Sequence, residues 1–210
     1  MDITWYGHAC FRLKSREGTV ITDPYDKSLG LSLPSLKADI VTVSHNAPHH
    51  SNTKATKGAY IIDGPGEYEI NGVFVTGIHI APAKNAKDAV RNNVFVTYLD
   101  DIAICHLGDL SHVLTQKQVE DMGNIDVLLV PVGGQNALKV AQAAEVISLI
   151  EPYIVIPMHY KLPNITVELD PVQKFLTEMG ITKTETVESL KLTKSSLPDE
   201  TQVVVMEPRI

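Results

Sequence analysis

Between Val41 and Asn52 the chain reads V-T-V-S-H-N-A-P-H-H-S-N. A short β-branched run, Ile40 to Val43, ends at Ser44, and three histidines follow within six positions: His45, His49 and His50. Pro48 lies inside the cluster and has no backbone N–H to donate, so the cluster cannot lie on a regular helix. It reads as a loop leaving the tip of a buried strand. A rigid strand end is a good mount for imidazole, the commonest biological metal ligand.

The remaining histidines extend the pattern. The chain has eight: His8, His45, His49, His50, His79, His106, His112 and His159. His8 follows Ile3 to Gly7, His45 follows Ile40 to Ser44, His106 ends the run from Ile102, and His159 follows Ile154 to Met158. Asp109 lies in the turn His106-Leu107-Gly108-Asp109. Loops at one end of a sheet are where sites are usually built. Four strand ends supplying His or Asp therefore predict a metal site assembled from distant segments. Several imidazoles with one carboxylate form a borderline-soft donor set that suits Zn2+ best, with Ni2+, Mn2+ and Fe2+ compatible.

Around that site the pattern predicts strands first and helices later. Ile3–Tyr6, Ala9–Leu13, Thr19–Thr22, Ala38–Val43, Ala59–Ile62, Tyr68–Ile70, Val73–Ile80, Val94–Leu99 and Ile102–His106 read as strands. Asn71-Gly72 and Asp100-Asp101 mark tight hairpins, because these residues tolerate positive φ. Residues 81–92 read as a long mobile loop. Thr115-x-x-Gln118 is a capping box opening a helix that stops at Gly123. Asn136 is expected to cap a helix through Ile150, and Asp170-Pro171 to open one reaching Met179. Asp126–Val130, Tyr153–Pro157 and Thr201–Met206 are the intervening and final strands. A β block followed by alternating helix and strand fits two stacked sheets covered by helices, an α/β protein of four-layer αββα type.

With 210 residues, 44% of them hydrophobic and 20% charged, one domain over 1–210 can bury a sizeable core. The net charge of −7 offers no basic surplus to neutralise phosphates, so nucleic acid is not expected as a partner. Cys10 and Cys105 make no disulfide framework. No leader pattern or membrane-spanning run is visible, and a reducing cytoplasm is expected. The partner expected at the site is a small-molecule substrate; self-association is left open.

The runs T-W-Y-G-H-A, T-D-P-Y at 22–25, S-H-N-A-P-H-H at 44–50, H-L-G-D-L-S-H at 106–112, P-V-G-G at 131–134 and I-P-M-H-Y-K at 156–161 resemble the metallo-β-lactamase superfamily. They are most similar to its ascorbate-6-phosphate lactonase-like branch of metal-dependent hydrolases. The resemblance runs over nearly the whole chain and implies the αββα fold. The family loop reads His-x-His-x-Asp-His, which places its first and last histidines on His45 and His50. Its second histidine falls on Ala47, which cannot ligate, and its aspartate on His49. The family's third histidine falls near Ile80-Ala81-Pro82-Ala83, where no ligand is present. The bridging aspartate matches Asp109 and the last histidine His159.

This degenerate motif implies one metal rather than two, held by His50, Asp109 and His159 with His49 or His45 as a fourth ligand. His8 matches the family's Gly-His pair and is expected beside the metal, as a supporting donor or a replacement ligand. Asp109, His49 and His8 are the expected catalytic groups, the two histidines for proton transfer. His106 and His112 are expected either to orient Asp109 or to pack as buried histidines. Asp23 and Asp63 read either as turn caps, the favoured reading, or as acceptors that support the metal ligands, and Glu67, Tyr68 and Lys161 as candidates for the site mouth. The implied function is a metal-dependent hydrolase of a small ester, lactone or phosphodiester. The alternative is a non-catalytic descendant of the fold that binds a metal or a ligand.

Overall fold

The computed structural model describes residues 1–81 and 91–210. Strands β1 (Asp2–Trp5), β2 (Phe11–Lys14) and β3 (Thr19–Thr22) form an antiparallel meander, and β4 (Ile40–Thr42) and β5 (Tyr60–Ile62) extend it in parallel. The chain then enters a second sheet, where β6 (Gly66–Ile70), β7 (Val73–Ile80), β8 (Asn92–Leu99) and β9 (Ile102–His106) run antiparallel. Helix α1 (Gln116–Met122) leads to β10 (Val127–Pro131), and α2 (Val140–Ile150) leads to β11 (Ile154–Met158), both parallel to β9. After α3 (Val172–Glu178) come four two-residue strands, β12 (Thr186–Val187), β13 (Leu190–Lys191), β14 (Gln202–Val203) and β15 (Val205–Met206). The sheet orders are β13-β1-β2-β3-β4-β5 and β14-β11-β10-β9-β8-β7-β6, with β12 and β15 paired apart. Two mixed sheets with flanking helices are the expected αββα architecture.

Local chemistry accounts for most of these elements. Asn71 and Gly72 hold φ of 54° and 84°, and Asp100 and Asp101 hold 50° and 63°. Those are the two left-handed positions that a twist-matched two-residue hairpin requires. The Thr115–Gln118 capping box forms on both sides. Strands β9, β10 and β11 are buried at every position, as strands covered on both faces must be. α1 packs against β7, and α2 against β10, α1 and α3. Two 3-10 turns, Lys27–Leu29 and Thr53–Ala55, take the place of helices between the first sheet's parallel strands.

Three expectations shift. Asn136 sits in a turn, and α2 starts only at Val140, its first turn closed by Gln142 accepting from the Lys139 backbone N–H. The final strand breaks into β14 and β15, which serve different sheets. Most of the loop expected at 81–92 lies outside the described residues, and β8 already begins at Asn92. Among the described residues no helix is long and apolar enough to cross a membrane.

Strand direction places the site. β1, β3 and β4 point the same way in the first sheet, as do β9, β10 and β11 in the second. Their C-terminal ends meet where Asn93 N–H donates to Ser44 O at 2.8 Å. Open α/β sheets collect ligands at such carboxyl ends. Gly108, at φ +58°, lets the turn after β9 close on the first sheet. A Cβ there would collide with the Asn92 side chain and come within 2.5 Å of Ser44 Cβ.

Candidate metal centre

Each group arrives from a strand end. His8 follows β1, Asp23 follows β3, Ser44 and His45 follow β4, Asp109 follows β9 and His159 follows β11. Three of these residues, His8, Asp23 and His159, hold left-handed φ of 52°, 37° and 52°. For a residue with a side chain this costs on the order of 1–3 kcal/mol and persists only where surrounding structure imposes it. Here the His8 carbonyl accepts from Trp5 Nε1 and from His159 N–H, both at 3.0 Å, tying two of the strained positions together.

The side chains converge on Asp109. Its Oδ1 lies 3.1 Å from His159 Nε2 and 3.4 Å from His50 Nε2, and its Oδ2 lies 3.7 Å from His45 Nε2. His8 Nε2 lies 3.2 Å from His50 Nε2. Two ligand groups result, His8–His50–His159 and His45–His50–Asp109, the donor atoms within each lying no more than 4.8 Å apart. Despite these approaches Asp109 Oδ1 accepts no hydrogen bond, and Nδ1 of His8 and of His159 make none among the described residues. Buried polar atoms are normally paired. Asp109 Oδ1, buried and unpaired, with Nε2 of His159 and of His50 at 3.1 and 3.4 Å, is placed as it would be beside a cation, so the donor set fits a metal ion.

The surroundings tune charge. Burial, then the neighbouring His159, His50, His49 and His45, pushes His8 well below the usual imidazole range. Burial likewise lowers His45, His49, His106 and His159. For His50 burial pulls down, but Asp109 and Asp23 outweigh it and raise the imidazole above its usual range. Burial would raise Asp109, yet His159, His50 and His45 hold it below the ordinary carboxylate value. Asp23, fully buried, is held near 2 by His106, His50 and Ser44 against the opposing effect of burial.

These directions predict a pH dependence for the metal-free chain. The five lowered histidines contribute stability that is present above the ordinary value of 6.5 and is lost as pH falls toward their folded values. The raised His50 works in the opposite sense, its contribution being lost as pH rises through its folded value. Unfolding therefore takes up protons on balance. The melting temperature of chelator-treated protein should fall between about pH 7.5 and about pH 5.5. A rise over that interval would show His50 dominating.

Comparison with known proteins agrees with this geometry. A family model described as the beta-lactamase superfamily domain matches residues 2–159. A candidate Zn-dependent hydrolase of the metallo-β-lactamase superfamily from Thermotoga maritima is 42% identical, covers 98% of each chain and superposes with a TM-score of 0.82. The chain belongs to the metallo-β-lactamase superfamily. Within it, a UPF0173 metal-dependent hydrolase of Thermoplasma acidophilum is 30% identical over 76% of this chain and 83% of its own. A metallo hydrolase of Ignicoccus hospitalis shares the fold at 20% identity and a TM-score of 0.68, over 99% of this chain and 95% of its own.

Against that superfamily's loop pattern, the structure sorts the expected site residues. It gathers His8, His45, His50, Asp109 and His159. It does not gather His49, expected both as a ligand and as a catalytic group: its half-buried ring turns Nε2 onto Ser28 Oγ at 3.2 Å, and it joins neither ligand group. Pro48 and the short loop turn it toward the 3-10 turn at Lys27–Leu29. His106 accepts from Gly108 N–H at Nδ1 and donates from Nε2 to Ala9 O at 2.9 Å, so it braces the turn that carries Asp109. His112 makes no such contact among the described residues. His79 is exposed, 3.4 Å from Asn93 Oδ1. Tyr68 turns its hydroxyl onto the Gly64 and Pro65 carbonyls. Asp23 is not a turn cap; it accepts from Ser44 and His50 inside the core. Asn92, unnoticed in the sequence, accepts from Asp109 N–H and donates to Leu107 O, each at 2.9 Å. Its signal was only its place at the start of a buried strand.

Proposed function

We propose that this chain is a mononuclear metal-dependent hydrolase of a small ester, lactone or phosphodiester. The observation that carries the single ion is the position of His50. It belongs to both ligand groups, yet its Nδ1 is committed to Asp23 Oδ2 at 2.9 Å. Only Nε2 remains, with one lone pair, so the two groups cannot each hold an ion through it. With His50, His159 and Asp109 Oδ1 given to one ion, only His45 and Asp109 Oδ2 remain on the other side, too few donors for a second. His50, Asp109 and His159 would hold the metal, with His45 and His8 on either side. A divalent ion there supplies Lewis acidity toward a carbonyl or phosphoryl oxygen and lowers the pKa of water; Zn2+ fits the imidazole-rich set best.

The chain's own groups do the rest. Asp109, held ionised by His159, His50 and His45 against burial, would balance the charge of the cation. His8 is kept neutral by burial and the surrounding histidines and sets its Nε2 3.2 Å from that of His50. His49 stands between the cluster and solvent, its ring centroid 6.0 Å from that of His8, and is placed to pass protons outward. This reading is supported by hydrolase names among the relatives and by the orphaned donors, while the substrate class rests on the chemistry of the ion.

One observation favours a structural metal instead. The separations of 3.1, 3.4 and 3.2 Å among Asp109, His159, His50 and His8 approach the edge of a zinc tetrahedron, about 3.3 Å for bonds of about 2.0 Å. Four protein ligands would leave no open position. Assaying zinc-, nickel- and manganese-loaded protein against carboxylic esters, lactones and an aryl phosphodiester separates the readings. Turnover that disappears in Asp109→Ala and on chelation is expected. Metal retained with no turnover on any of these substrates would overturn the hydrolase reading.

A further inference from the structure

Asp109 is held by its backbone, not by its carboxylate. Its Oδ1 accepts no hydrogen bond among the described residues, and its Oδ2 lies 3.7 Å from His45 Nε2, beyond hydrogen-bond range. The carboxylate therefore goes where the turn after β9 carries it. Strand register explains what holds that turn. β8 and β9 pair antiparallel with Phe95 opposite His106, and the same register carried on would set Asn92 opposite Asp109. The ladder stops short of that pair, because Gly108 leaves the strand direction at φ +58°. A side chain takes over where the backbone pairing ends. Asn92 Oδ1 accepts from Asp109 N–H, and Asn92 Nδ2 donates to Leu107 O, each at 2.9 Å. Gly108, between those two residues, lacks the Cβ that would collide with Asn92 Oδ1.

We infer that Asn92 is a positioning residue that fixes the Asp109 carboxylate in the metal centre by clamping the turn on both sides of Gly108. Its two partners are an N–H and a C=O, so position 92 must offer one acceptor and one donor. A side-chain amide carries these on separate atoms of one planar group. An ionised aspartate would set a second oxygen against the Leu107 carbonyl, and alanine would leave the Asp109 N–H unpaired. Asn92 is only 6% exposed, so little water reaches the clamp to replace it. The neighbouring Asn93 is comparably buried at 7% but sends its Nδ2 to Asp63 O at 3.0 Å, not to the Asp109 turn. The inference rests on the metal-centre reading for its effect on metal binding, not for the clamp itself.

Asn92→Ala and Asn93→Ala, each in the full chain, separate the clamp from the ordinary loss of a buried hydrogen bond. Amide hydrogen exchange of metal-free protein reads the turn. Asn92→Ala should speed exchange at Asp109 N–H by at least about tenfold. Leu107 N–H, bonded to Leu129 O at 3.1 Å, should keep its protection. Zinc binding, read by chelator competition, should weaken roughly 10- to 100-fold, the usual effect of removing a ligand's supporting partner. Asn93→Ala should bind zinc as the wild type does. In an Asp109→Ala background, adding Asn92→Ala should cost no further affinity, because both changes act through one carboxylate.

Unchanged exchange at Asp109 in Asn92→Ala, equal weakening of zinc binding in Asn93→Ala, or losses in Asn92→Ala and Asp109→Ala that multiply would overturn the assignment. If Asn92→Ala does not fold, Asn92→Ser carries the same expectations, since one hydroxyl cannot span both backbone groups. A wild type that binds no zinc, with Asp109 exchange altered as expected, would sustain the clamp on Asp109 and defeat the proposed function.

Discussion

His50→Ala should lose its tightly bound metal, with affinity falling by more than about 100-fold. Removing only the hydrogen-bond partner of a ligand already costs about 10–100-fold, and this change removes the donor shared by both ligand groups. It also strips Asp23 Oδ2 of its His50 partner while leaving Ser44 in place. His79→Ala is the matched control, because His79 is exposed and belongs to neither ligand group. Isothermal titration of both variants and the wild type with zinc checks the result. Near-wild-type affinity in His50→Ala would mean that the ion sits elsewhere.

Trp5→Ala should destabilise the chain by roughly 3–5 kcal/mol, the usual range for deleting a buried aromatic side chain. Trp5 is fully buried, with ring centroids 6.1 Å from Phe11 and 5.1 Å from Tyr160. It also donates Nε1–H to the His8 carbonyl at 3.0 Å. The loss is therefore of packing between the sheets and of one of the two hydrogen bonds that hold His8 in its strained conformation. Trp5→Phe restores most of the packing but not the donor. It should recover most of the stability and still bind metal less tightly than the wild type. Denaturant unfolding and zinc titration separate the two effects; equal stability in Trp5→Ala and the wild type would contradict the packing argument.

The sequence showed the fold wherever the chemistry is local. Asn71-Gly72 and Asp100-Asp101 could scarcely form anything but tight turns, and Thr115 with Gln118 announced α1. The histidines at strand ends were legible for the same reason, since an apolar run that stops at a polar ligand-forming residue marks both the strand and its exit. Short pairings were not legible. β12 to β15 are two residues each, and partners distant along the chain decide them. For Asp23 the favoured reading, a turn cap, gives way to the other, an acceptor beneath the site, because Asp-Pro after a strand looks like a turn and only the parallel neighbour β4 brings Ser44 and His50 against it. The place of His49 outside both ligand groups was not legible for the converse reason. Its position in the family loop suggested a ligand, but Ser28 on a separate segment takes its Nε2.

The most direct test is tightly bound metal per chain, measured by elemental analysis of untagged protein after loading with zinc and removal of excess. One ion per chain, lost in His50→Ala, is the predicted result. Two ions per chain would contradict the argument from the single free nitrogen of His50, and none after loading with zinc, nickel or manganese would contradict the metal centre itself.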